Sequence, residues 1–344
     1  MRFKLPFNLS KKIGIDLGTA NILVYVAGVG VVLNEPTVVA VRADDNKVVA
    51  VGQDAKEMLG RTPGNIVATR PLKDGVIADY AITQAMLAYF IDKVAGSSRL
   101  FKPEVMVCIP SGVTQVEKRA VLDATQAAGA RAVYLIEEPL AAAIGAKIPI
   151  AQAAGHMILD SGGGTTDIAV ISLGGVVVHK SIRIAGNKLE EAIANYIRKR
   201  FNLLIGERSA EELKIKLGNA VIEQDTVQSK EVKGRDSISG LPRSIEVSEN
   251  EINEAISPIL KAIVSAIRET FEITPPELAS DIIDKGIVLS GGTSLLKNLD
   301  QYITRETGVP SYVAEDPLYC VVRGTGVALE NLDLYKRSIK RNQY

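Results

Sequence analysis

The chain has 344 residues, and its 40 basic and 40 acidic side chains leave no net formal charge. This length suits two related domains of ordinary size better than a single core. A balanced charge argues against broad nucleic-acid binding, in which a basic face supplies most of the affinity, so we expect no nucleic-acid partner.

The cysteines, histidines and apolar runs exclude further classes of protein. Cys108 and Cys320 cannot form a disulfide framework, and two histidines leave no zinc-ligand spacing. Both cysteines are typical of small core residues in a reducing compartment. No apolar run approaches the length of a transmembrane helix, and the first residues lack the apolar stretch and cleavage site of a signal peptide. We therefore expect a cytoplasmic protein.

The first predicted element is a hairpin with the features of a phosphate site. An apolar strand ends at Asp16, a turn contains Gly18 and Thr19, and a second apolar strand begins at Ile22. Glycine has no Cβ, so backbone N–H groups can come close to phosphate oxygens, and a threonine hydroxyl adds a donor. A carboxylate here would repel phosphate unless a divalent cation lay between them, and Mg²⁺ is the usual ion.

The next segment predicts parallel β-α-β organisation. A buried strand at Glu104–Pro110 precedes a helix that Thr114 and Glu117 open as a capping box. A strand at Arg131–Ile136 then leads into a second helix. Pro139 suits the first turn of that helix, where its missing N–H is no loss.

The hairpin plan then recurs. A strand that ends at Asp160 leads through the loop Ser161–Asp167, which holds three glycines and two threonines, into a strand that begins at Ile168. In both copies a glycine turn then opens a third strand. Each copy alone could be an ordinary hairpin, but the acid, the glycine and the threonine recur at matching places. We expect the two hairpins to face each other and bind a nucleotide.

Helical and strand patterns continue after the second hairpin. Helical spacing predicts amphipathic helices at about 188–201, 210–217 and 251–271, and the pair Pro275–Pro276 breaks the last of these. A strand at 285–289 then enters a Ser-Gly-Gly-Thr-Ser motif at the mouth of another helix.

The charged stretch 219–247 is strand-like and predicts a small subdomain with turns at Gly234, Gly240 and Pro242. The chain has neither a GxGxxG fingerprint nor a GxxxxGK[ST] loop, so the usual alternative nucleotide sites lack their residues.

Three motifs together resemble those of the MreB family of bacterial actin-like cell-shape proteins, within the superfamily of actins, sugar kinases and heat-shock chaperones. Ile15–Asn21 is similar to the first phosphate motif of the family, Asp160–Asp167 to the second, and Glu137–Gly145 to the segment that connects them. Further stretches that resemble the family are Leu33–Pro36, Gly60–Gly64, Arg70–Asp79 and Pro275–Asp281. The resemblance spans nearly the whole chain.

The resemblance implies an actin-like α/β fold, with two related RNase H-like domains around a nucleotide cleft. Each domain would carry a smaller subdomain. The implied first core subdomain is 1–34, 70–145 and 318–344, with 35–69 as its small subdomain. The implied second core subdomain is 146–184 and 243–317, with 185–242 as its small subdomain.

The resemblance also implies a slow Mg²⁺-dependent ATPase with ATP between the two halves. Mg²⁺ would be held through water by Asp16 and Asp160, while Glu138 and Thr165 would position the attacking water. The implied nucleotide contacts are Gly18, Thr19, Ala20, Asn21, Gly162, Gly163, Gly164, Thr165, Thr166, Glu211, Lys214, Gly291, Gly292, Thr293 and Ser294. From the residues alone, Glu138 could simply be an acid at a helix N-terminus, and Glu211 with Lys214 a solvated ion pair.

Three residues depart from the usual family pattern. The second phosphate loop usually has Ile and Glu where this chain has Ser161 and Asp167. The Ser-Gly-Gly-Thr-Ser stretch Ser290–Ser294, a further family motif that we call the third motif, often has glycine where this chain has Thr293. Because Ser161 is small and Asp167 keeps its charge, we expect nucleotide binding to survive both changes.

Three functions of different class share the two phosphate motifs. The first is a filament-forming ATPase, which the resemblance favours. A chaperone would need a further peptide-binding domain, whereas this chain ends soon after the core at Tyr344. A sugar or acid kinase would need a catalytic base for a substrate hydroxyl, and only Glu138 is available as a candidate.

The first residues and one loop have the composition of membrane anchors. Phe3, Leu5 and Phe7 are interleaved with basic residues, and the loop 96–101 carries Leu100 and Phe101. A disordered N-terminus and an ordinary surface loop are the alternatives. We expect the protein to pair with itself in double filaments, to lie peripherally on the inner face of the cytoplasmic membrane, and to meet the cell-wall elongation machinery.

Overall fold

We describe a computed structural model, which defines residues 10–95, 102–222, 228–335 and 338–341. The chain divides into two compact units. Unit 1 comprises Met1–Gln152, Leu173–Gly175 and Leu318–Tyr344, and unit 2 comprises Ala153–Ser172 and Val176–Pro317.

The strands are numbered in chain order. They are β1 Lys12–Leu17, β2 Asn21–Val26, β3 Gly30–Pro36, β4 Val39–Arg42, β5 Val48–Val51, β6 Ile66–Thr69, β7 Leu72–Lys73, β8 Val76–Ile77, β9 Glu104–Ile109, β10 Ala132–Glu137, β11 His156–Ser161, β12 Thr166–Ser172, β13 Gly175–Ile182, β14 Leu203–Leu204, β15 Ser229–Asp236, β16 Pro242–Ser248, β17 Ile287–Ser290, β18 Ser311–Val313 and β19 Lys340–Arg341.

The helices are numbered in the same way. They are α1 Gln53–Met58, α2 Tyr80–Ala95, α3 Gln115–Ala127, α4 Glu138–Gly145, α5 Gly186–Phe201, α6 Glu207–Leu217, α7 Glu249–Glu272, α8 Pro276–Lys285, α9 Leu299–Thr307 and α10 Cys320–Glu330. Short 3₁₀ turns form at Gly292–Leu295 and Pro317–Tyr319.

Unit 1 is built on a six-stranded sheet with the order β19-β10-β9-β1-β2-β3. Strands β1, β9 and β10 run parallel, and β2 and β3 continue the sheet as an antiparallel hairpin. The parallel strands are continuous apolar runs because both of their faces are covered, and Ile13, Ile15 and Val107 are fully buried. Strands β5-β4-β6 form a smaller separate sheet.

Unit 2 repeats this plan in a five-stranded sheet with the order β13-β12-β11-β17-β18. Strands β11, β17 and β18 run parallel, β12 adds antiparallel to β11, and β13 lies next to β12 at the edge of the sheet. In each unit, therefore, a hairpin extends the parallel strands in the same order. The repeat predicted from the two glycine-rich motifs is confirmed as a repeat of sheet topology.

The predicted helix starts between the two hairpins are confirmed. The Thr114 hydroxyl accepts from the Glu117 backbone N–H, and the Glu117 carboxylate accepts from the Thr114 backbone N–H, which is the capping box at the start of α3. Pro139 lies in the first turn of α4, as its fixed φ favours.

One predicted turn is wrong. Gly234 lies inside β15 and pairs with Arg243 on β16, while the turn itself contains Gly240 and Pro242 begins β16. A Cβ at Gly234 would lie 2.4 Å from the carbonyl oxygen of Leu204 on β14. Glycine is therefore needed here for close strand approach and not for a turn.

The predicted strand at 285–289 is shifted by one or two residues. Lys285 ends α8, Gly286 adopts a φ of +78°, and β17 begins at Ile287. The helix α8 itself begins at Pro276, the proline that was predicted only to break the preceding helix.

Two glycines allow helices α4 and α10 of unit 1 to pack backbone against backbone. A Cβ at Gly145 would lie 1.8 Å from the Cys320 carbonyl oxygen, and a Cβ at Gly324 would lie 1.7 Å from the Ala141 carbonyl oxygen. Because the obstructing atoms are backbone, a side-chain rotation cannot relieve either clash. The α4–α10 contact therefore requires glycine on both helices.

We predict that Gly145→Ala and Gly324→Ala each lower the free energy of unfolding by about 1–3 kcal/mol or more. Helix propensity alone would instead raise the free energy of unfolding, since alanine favours a helix by about 1 kcal/mol over glycine. Urea unfolding followed by circular dichroism measures the change. Gly64→Ala is the matched control, because a Cβ at Gly64 would meet nothing within 4 Å. Parental stability of both helix variants would contradict this account of the packing.

Candidate functional site

Two predicted site residues of unit 1, Asp16 and Glu138, lie at the carboxyl ends of its parallel strands. Asp16 lies near the end of β1, and Glu138 directly follows β10 as the first residue of α4. Cys108, predicted only as a core residue, lies near the end of β9 between these two strands. Ligands of open α/β sheets bind outside this edge of the sheet. The topology thus brings Asp16 and Glu138, which are far apart in sequence, to one sheet edge.

Asp16 is a half-buried carboxylate that lies between buried neighbours on β1. Burial raises the pKa of Asp16 to about 6, and the Cys108 thiol, which donates to Asp16 Oδ1 over 3.3 Å, acts in the opposite direction. Burial also raises the pKa of the Cys108 thiol well above its ordinary value, and the charges of Asp16 and Glu138 raise it further. A nearby cation would stabilise the ionised carboxylate, so this position fits a hard divalent ion.

The turn after Asp16 is held by residues that sequence reasoning missed. The Gly18 carbonyl accepts from the Thr37 hydroxyl over 2.7 Å, and the Thr19 hydroxyl accepts from the Gly75 backbone N–H over 2.9 Å. A Cβ at Gly18 would lie 2.6 Å from the Asn21 carbonyl oxygen, so this tight turn requires glycine. No local pattern marks Thr37 or Gly75, because both contacts join distant parts of the chain.

The position of Glu138 is consistent with both interpretations drawn from the sequence, an acid at a helix N-terminus and a residue that positions the attacking water. It is buried in the first turn of α4, where the helix dipole favours an acid. It also lies close enough to Cys108 for its charge to raise the pKa of that thiol. The helix N-terminus therefore holds Glu138 at the sheet edge that carries Asp16.

Unit 2 places its own carboxylate in the same way. Asp160 lies near the end of β11, is almost fully buried, and accepts a 2.6 Å hydrogen bond at Oδ1 from the Ser290 hydroxyl on the parallel strand β17. Asp167, on the antiparallel strand β12, is directly opposite Asp160 in the ladder and is fully buried. The second hairpin thus carries two buried carboxylates.

Ser161, one of the departures from the family pattern, has a structural role in this loop. Its hydroxyl and that of Thr166 are 2.7 Å apart, and Thr166 donates onward to the Ile184 carbonyl over 2.7 Å. All of these groups are buried or half-buried. The hydroxyl hydrogen of Thr166 is therefore used within the fold, and Ser161 completes a polar chain that an isoleucine could not form.

The glycine loop of unit 2 is tied to the third motif and to α5. The Gly162 carbonyl accepts two hydrogen bonds, one from the Thr293 hydroxyl over 2.7 Å and one from the Gly186 backbone N–H over 3.1 Å. A Cβ at Gly186 would lie 3.3 Å from Lys214 Nζ and 3.2 Å from Thr293 Oγ1. The structure therefore brings Gly162, Thr293 and Lys214 around Gly186. Thr293, a further departure from the family pattern, thus contacts the glycine loop through its hydrogen bond to the Gly162 carbonyl.

Lys214 forms a short ion pair in this region. Its ammonium lies 2.5 Å from the carboxylate of Glu190 on α5, and both side chains are mostly buried. Glu190 was missed from the sequence, because its contact depends on the packing of α5 against α6. Glu211 lies one turn before Lys214 on α6.

The remaining predicted nucleotide residues lie in the glycine turn of unit 1, in the glycine loop of unit 2 and in the turn after β17. Thr165 is buried, and its carbonyl accepts from the Gly162 N–H over 3.0 Å. The Gly163 carbonyl accepts from the Asn187 N–H over 2.8 Å, and Gly291, at a φ of +83°, approaches the backbone of Ser161. Other predicted contacts are Ala20 after β1, Gly164 before β12, and Gly292 and Ser294 in the 3₁₀ turn.

The predicted membrane residues Phe3, Leu5, Phe7, Leu100 and Phe101 lie outside the described residues. Within the described part of the chain, no helix is both long and apolar enough to cross a membrane. The described residues also contain no group of three or more His, Cys, Asp or Glu side chains that could enclose a metal ion. Mg²⁺ commonly uses only one or two carboxylates and keeps several waters, so Asp16 in unit 1 and Asp160 in unit 2 are each, taken alone, a type of ligand that fits this ion.

Unit 1 also contains a cavity of about 710 Å³ that is lined by other residues. Its walls are β3, the end of α4 and one side of α10, with Tyr25, Lys147, Tyr319 and Arg323 as the larger polar side chains. None of the predicted nucleotide residues lines this cavity.

The family model for the MreB/Mbl protein matches residues 10–337 of the chain. The cell shape-determining protein MreB of Escherichia coli (strain K12) is 54% identical over 331 residues, which cover 95% of each chain. MreB5 of Spiroplasma citri bound to ADP is 39% identical with a TM-score of 0.89, covering 94% of this chain and 98% of that one.

Two further solved structures bear on the fold. The same Spiroplasma citri protein bound to AMPPNP is 38% identical with a TM-score of 0.91, covering 96% of this chain and 99% of that one. The MamK double helical filament, at 21% identity and a TM-score of 0.79, covers 93% of this chain and 99% of that one and shows likeness of fold alone. These likenesses confirm the predicted actin-like α/β fold. The chain therefore belongs to the MreB/Mbl family of actin-like proteins.

Proposed function

We propose that the protein is a slow Mg²⁺-dependent ATPase that polymerises into membrane-associated filaments and organises cell-wall synthesis and rod-cell shape. The observation that carries the nucleotide part is the repeated hairpin, in which each unit places an aspartate beside a glycine turn, half-buried Asp16 in unit 1 and buried Asp160 in unit 2. The likeness to a Spiroplasma citri protein bound to ADP and to AMPPNP supports it further. The E. coli relative is named as cell shape-determining, which supports the cellular role.

In this proposal the two glycine turns bind the phosphates of ATP. The turn at Gly18–Asn21 and the loop at Gly162–Thr166 would supply backbone donors, which glycine allows to approach phosphate closely. Thr37, Gly75 and Thr293 hold these turns in place through the hydrogen bonds described above. Such fixed donors bind without the cost of ordering a loop.

Asp16 and Asp160 would hold the waters of the metal ion. When bound, Mg²⁺ would neutralise negative charge on the phosphates, which is most of what phosphoryl transfer requires besides positioning. Glu138 would orient the attacking water from the first turn of α4, with Thr165 as its partner in that role. Glu211 and Lys214 would reach the ribose and base, next to the third motif Gly291–Ser294.

We also propose the subdomain division implied by the family resemblance. The ranges 1–34, 70–145 and 318–344 form one core with 35–69 as its small subdomain, and 146–184 and 243–317 form the other with 185–242. The separate sheet β5-β4-β6 lies within 35–69 and supports the first small subdomain.

The filament proposal rests on the family and on the fold shared with the MamK double helical filament. Each subunit would contribute head-to-tail contacts that extend without closing, and two such strands would pair. The protein would act in the cytoplasm, peripherally on the inner face of the membrane, together with the cell-wall elongation machinery. A sugar kinase of the same superfamily is the alternative that the experiments below test.

We predict that Glu138→Ala lowers the rate of ATP hydrolysis at least about tenfold and leaves Mg·ATP affinity nearly unchanged, because it removes water positioning and not a phosphate contact. Asp160→Ala should instead weaken Mg²⁺-dependent binding. Phosphate release and fluorescent-nucleotide titration measure the two effects. Glu137→Ala, at the end of β10 and directly before Glu138, is the matched control. If Glu138→Ala hydrolysed ATP at the parental rate, the assignment of its role would be wrong.

We predict that the protein sediments as filaments with Mg·ATP and much less with ADP, since nucleotide state controls assembly in this proposal. Pelleting, light scattering and electron microscopy measure assembly, and Asp160→Ala serves as the nucleotide-deficient control. A screen for sugar phosphorylation in the same samples should be negative. An ATP-loaded sample that remains monomeric at high concentration with lipid present would count against the filament proposal, and sugar phosphorylation would favour the kinase.

We predict that the protein floats with anionic liposomes, and that deletion of residues 2–9 with Leu100→Ser and Phe101→Ser abolishes flotation without changing ATP binding. Each buried apolar side chain is worth roughly 1.5–3 kcal/mol and each basic residue about 1 kcal/mol, so one subunit binds weakly and a filament binds by avidity. The control is Ile238→Ser with Leu241→Ser, which changes exposed apolar residues near the β15–β16 turn. Undiminished flotation of the deletion variant would contradict the anchor assignment.

A further inference from the structure

Each proposed metal-linked aspartate accepts a hydrogen bond from the neighbouring parallel strand. In unit 1, Ile15 on β1 pairs with Val107 on β9, so Asp16 and Cys108 follow at the next position of the two strands. The buried Cys108 thiol donates to Asp16 Oδ1 over 3.3 Å. The donor and the acceptor are 92 residues apart in sequence.

Unit 2 contains the same arrangement with a different donor. Asp160 on β11 pairs with Ser290 on the parallel strand β17, and the fully buried Ser290 hydroxyl donates to Asp160 Oδ1 over 2.6 Å. The two units therefore share the strand order, the aspartate near the strand end, and a donor from the adjacent parallel strand to one carboxylate oxygen. Only the donor atom differs, a thiol in unit 1 and a hydroxyl in unit 2.

We propose that Cys108 and Ser290 are equivalent positioning residues that fix the orientation of the two aspartates for the metal-bound nucleotide. This inference rests on the proposed function. An aspartate side chain can rotate about two bonds, and a buried donor selects one of the resulting orientations. A carboxylate already held in place loses less entropy when it binds the hydrated ion.

The chemistry of the two donors ranks their effects. A hydroxyl is a strong donor and its bond here is short, whereas a thiol is a weak donor at a longer distance. Loss of Ser290 should therefore disturb Asp160 more than loss of Cys108 disturbs Asp16. Serine in place of Cys108 should preserve the interaction, because it keeps a donor of similar size in the same position.

A purely structural role makes a different prediction. If Cys108 were only a small apolar core residue, as its type suggests, alanine would be tolerated better than the more polar serine. A positioning role reverses this order, because serine can donate and alanine cannot. The order of the serine and alanine variants thus separates packing from positioning.

The test is the ratio of ATP affinities measured with Mg²⁺ and with EDTA, using a fluorescent ATP analogue and the full chain. Ser290→Ala should lower this ratio about tenfold or more, as loss of the partner of a metal-ligating group typically does. Cys108→Ala should lower it less, and Ser290→Cys and Cys108→Ser should stay closer to the parent than the alanine variants. The affinity in EDTA should be unchanged throughout.

Two buried residues outside the site serve as matched controls. Cys320→Ala removes the buried thiol of α10, and Thr270→Val removes a buried hydroxyl that donates to the Ala266 carbonyl in α7. Neither should change the ratio. Thermal melting without nucleotide verifies folding, and Ser290→Cys keeps the test available if Ser290→Ala does not fold.

The outcomes separate this inference from the function on which it rests. If the parent binds ATP equally with Mg²⁺ and with EDTA, the proposed function fails. If the parent requires Mg²⁺ and Ser290→Ala keeps the parental ratio, only the positioning inference fails. It fails also if Cys108→Ala retains the ratio better than Cys108→Ser, or if the controls lose as much as the site variants.

Discussion

Each unit places an aspartate near the carboxyl end of an inner parallel strand, half-buried Asp16 in unit 1 and buried Asp160 in unit 2, and the candidate site is organised around these carboxylates. A charge removed from water is stable only where hydrogen-bond donors or cations replace the water. Asp16 shows the effect directly, since burial raises its pKa to about 6. In unit 2 the Ser290 hydroxyl provides a strong donor to Asp160. In the proposed function a cation beside such a carboxylate would complete the compensation, and this would account for an acid that occurs together with a glycine turn in each unit.

The glycine turns are rigid because distant residues hold them. In unit 1 the Gly18 carbonyl is bound by Thr37, and in unit 2 the Gly162 carbonyl is bound by Thr293 and by the backbone of α5. A turn that is fixed before binding keeps its N–H groups directed toward one place, and binding sites gain affinity and precision from such support. The same logic accounts for Thr293, which departs from the family pattern but has a defined hydrogen bond.

The sequence predicted the features that depend on local chemistry. Both hairpins, the capping box at Thr114 and the proline start of α4 follow from residues close together in the chain, and the structure confirms each of them. Contacts set by strand register or helix packing could not be predicted. Cys108, Ser290 and Glu190 contact site residues across long sequence separations. Gly234 was mistaken for a turn because its sequence does not show how closely Leu204 approaches.

The proposed function requires metal-dependent binding of ATP, and calorimetric titration of the nucleotide-free protein with ATP tests this requirement most directly. The account predicts one ATP bound per chain in Mg²⁺, with much weaker binding when EDTA replaces the metal. Equal affinity with and without Mg²⁺, or no binding of ATP in either condition, would contradict it.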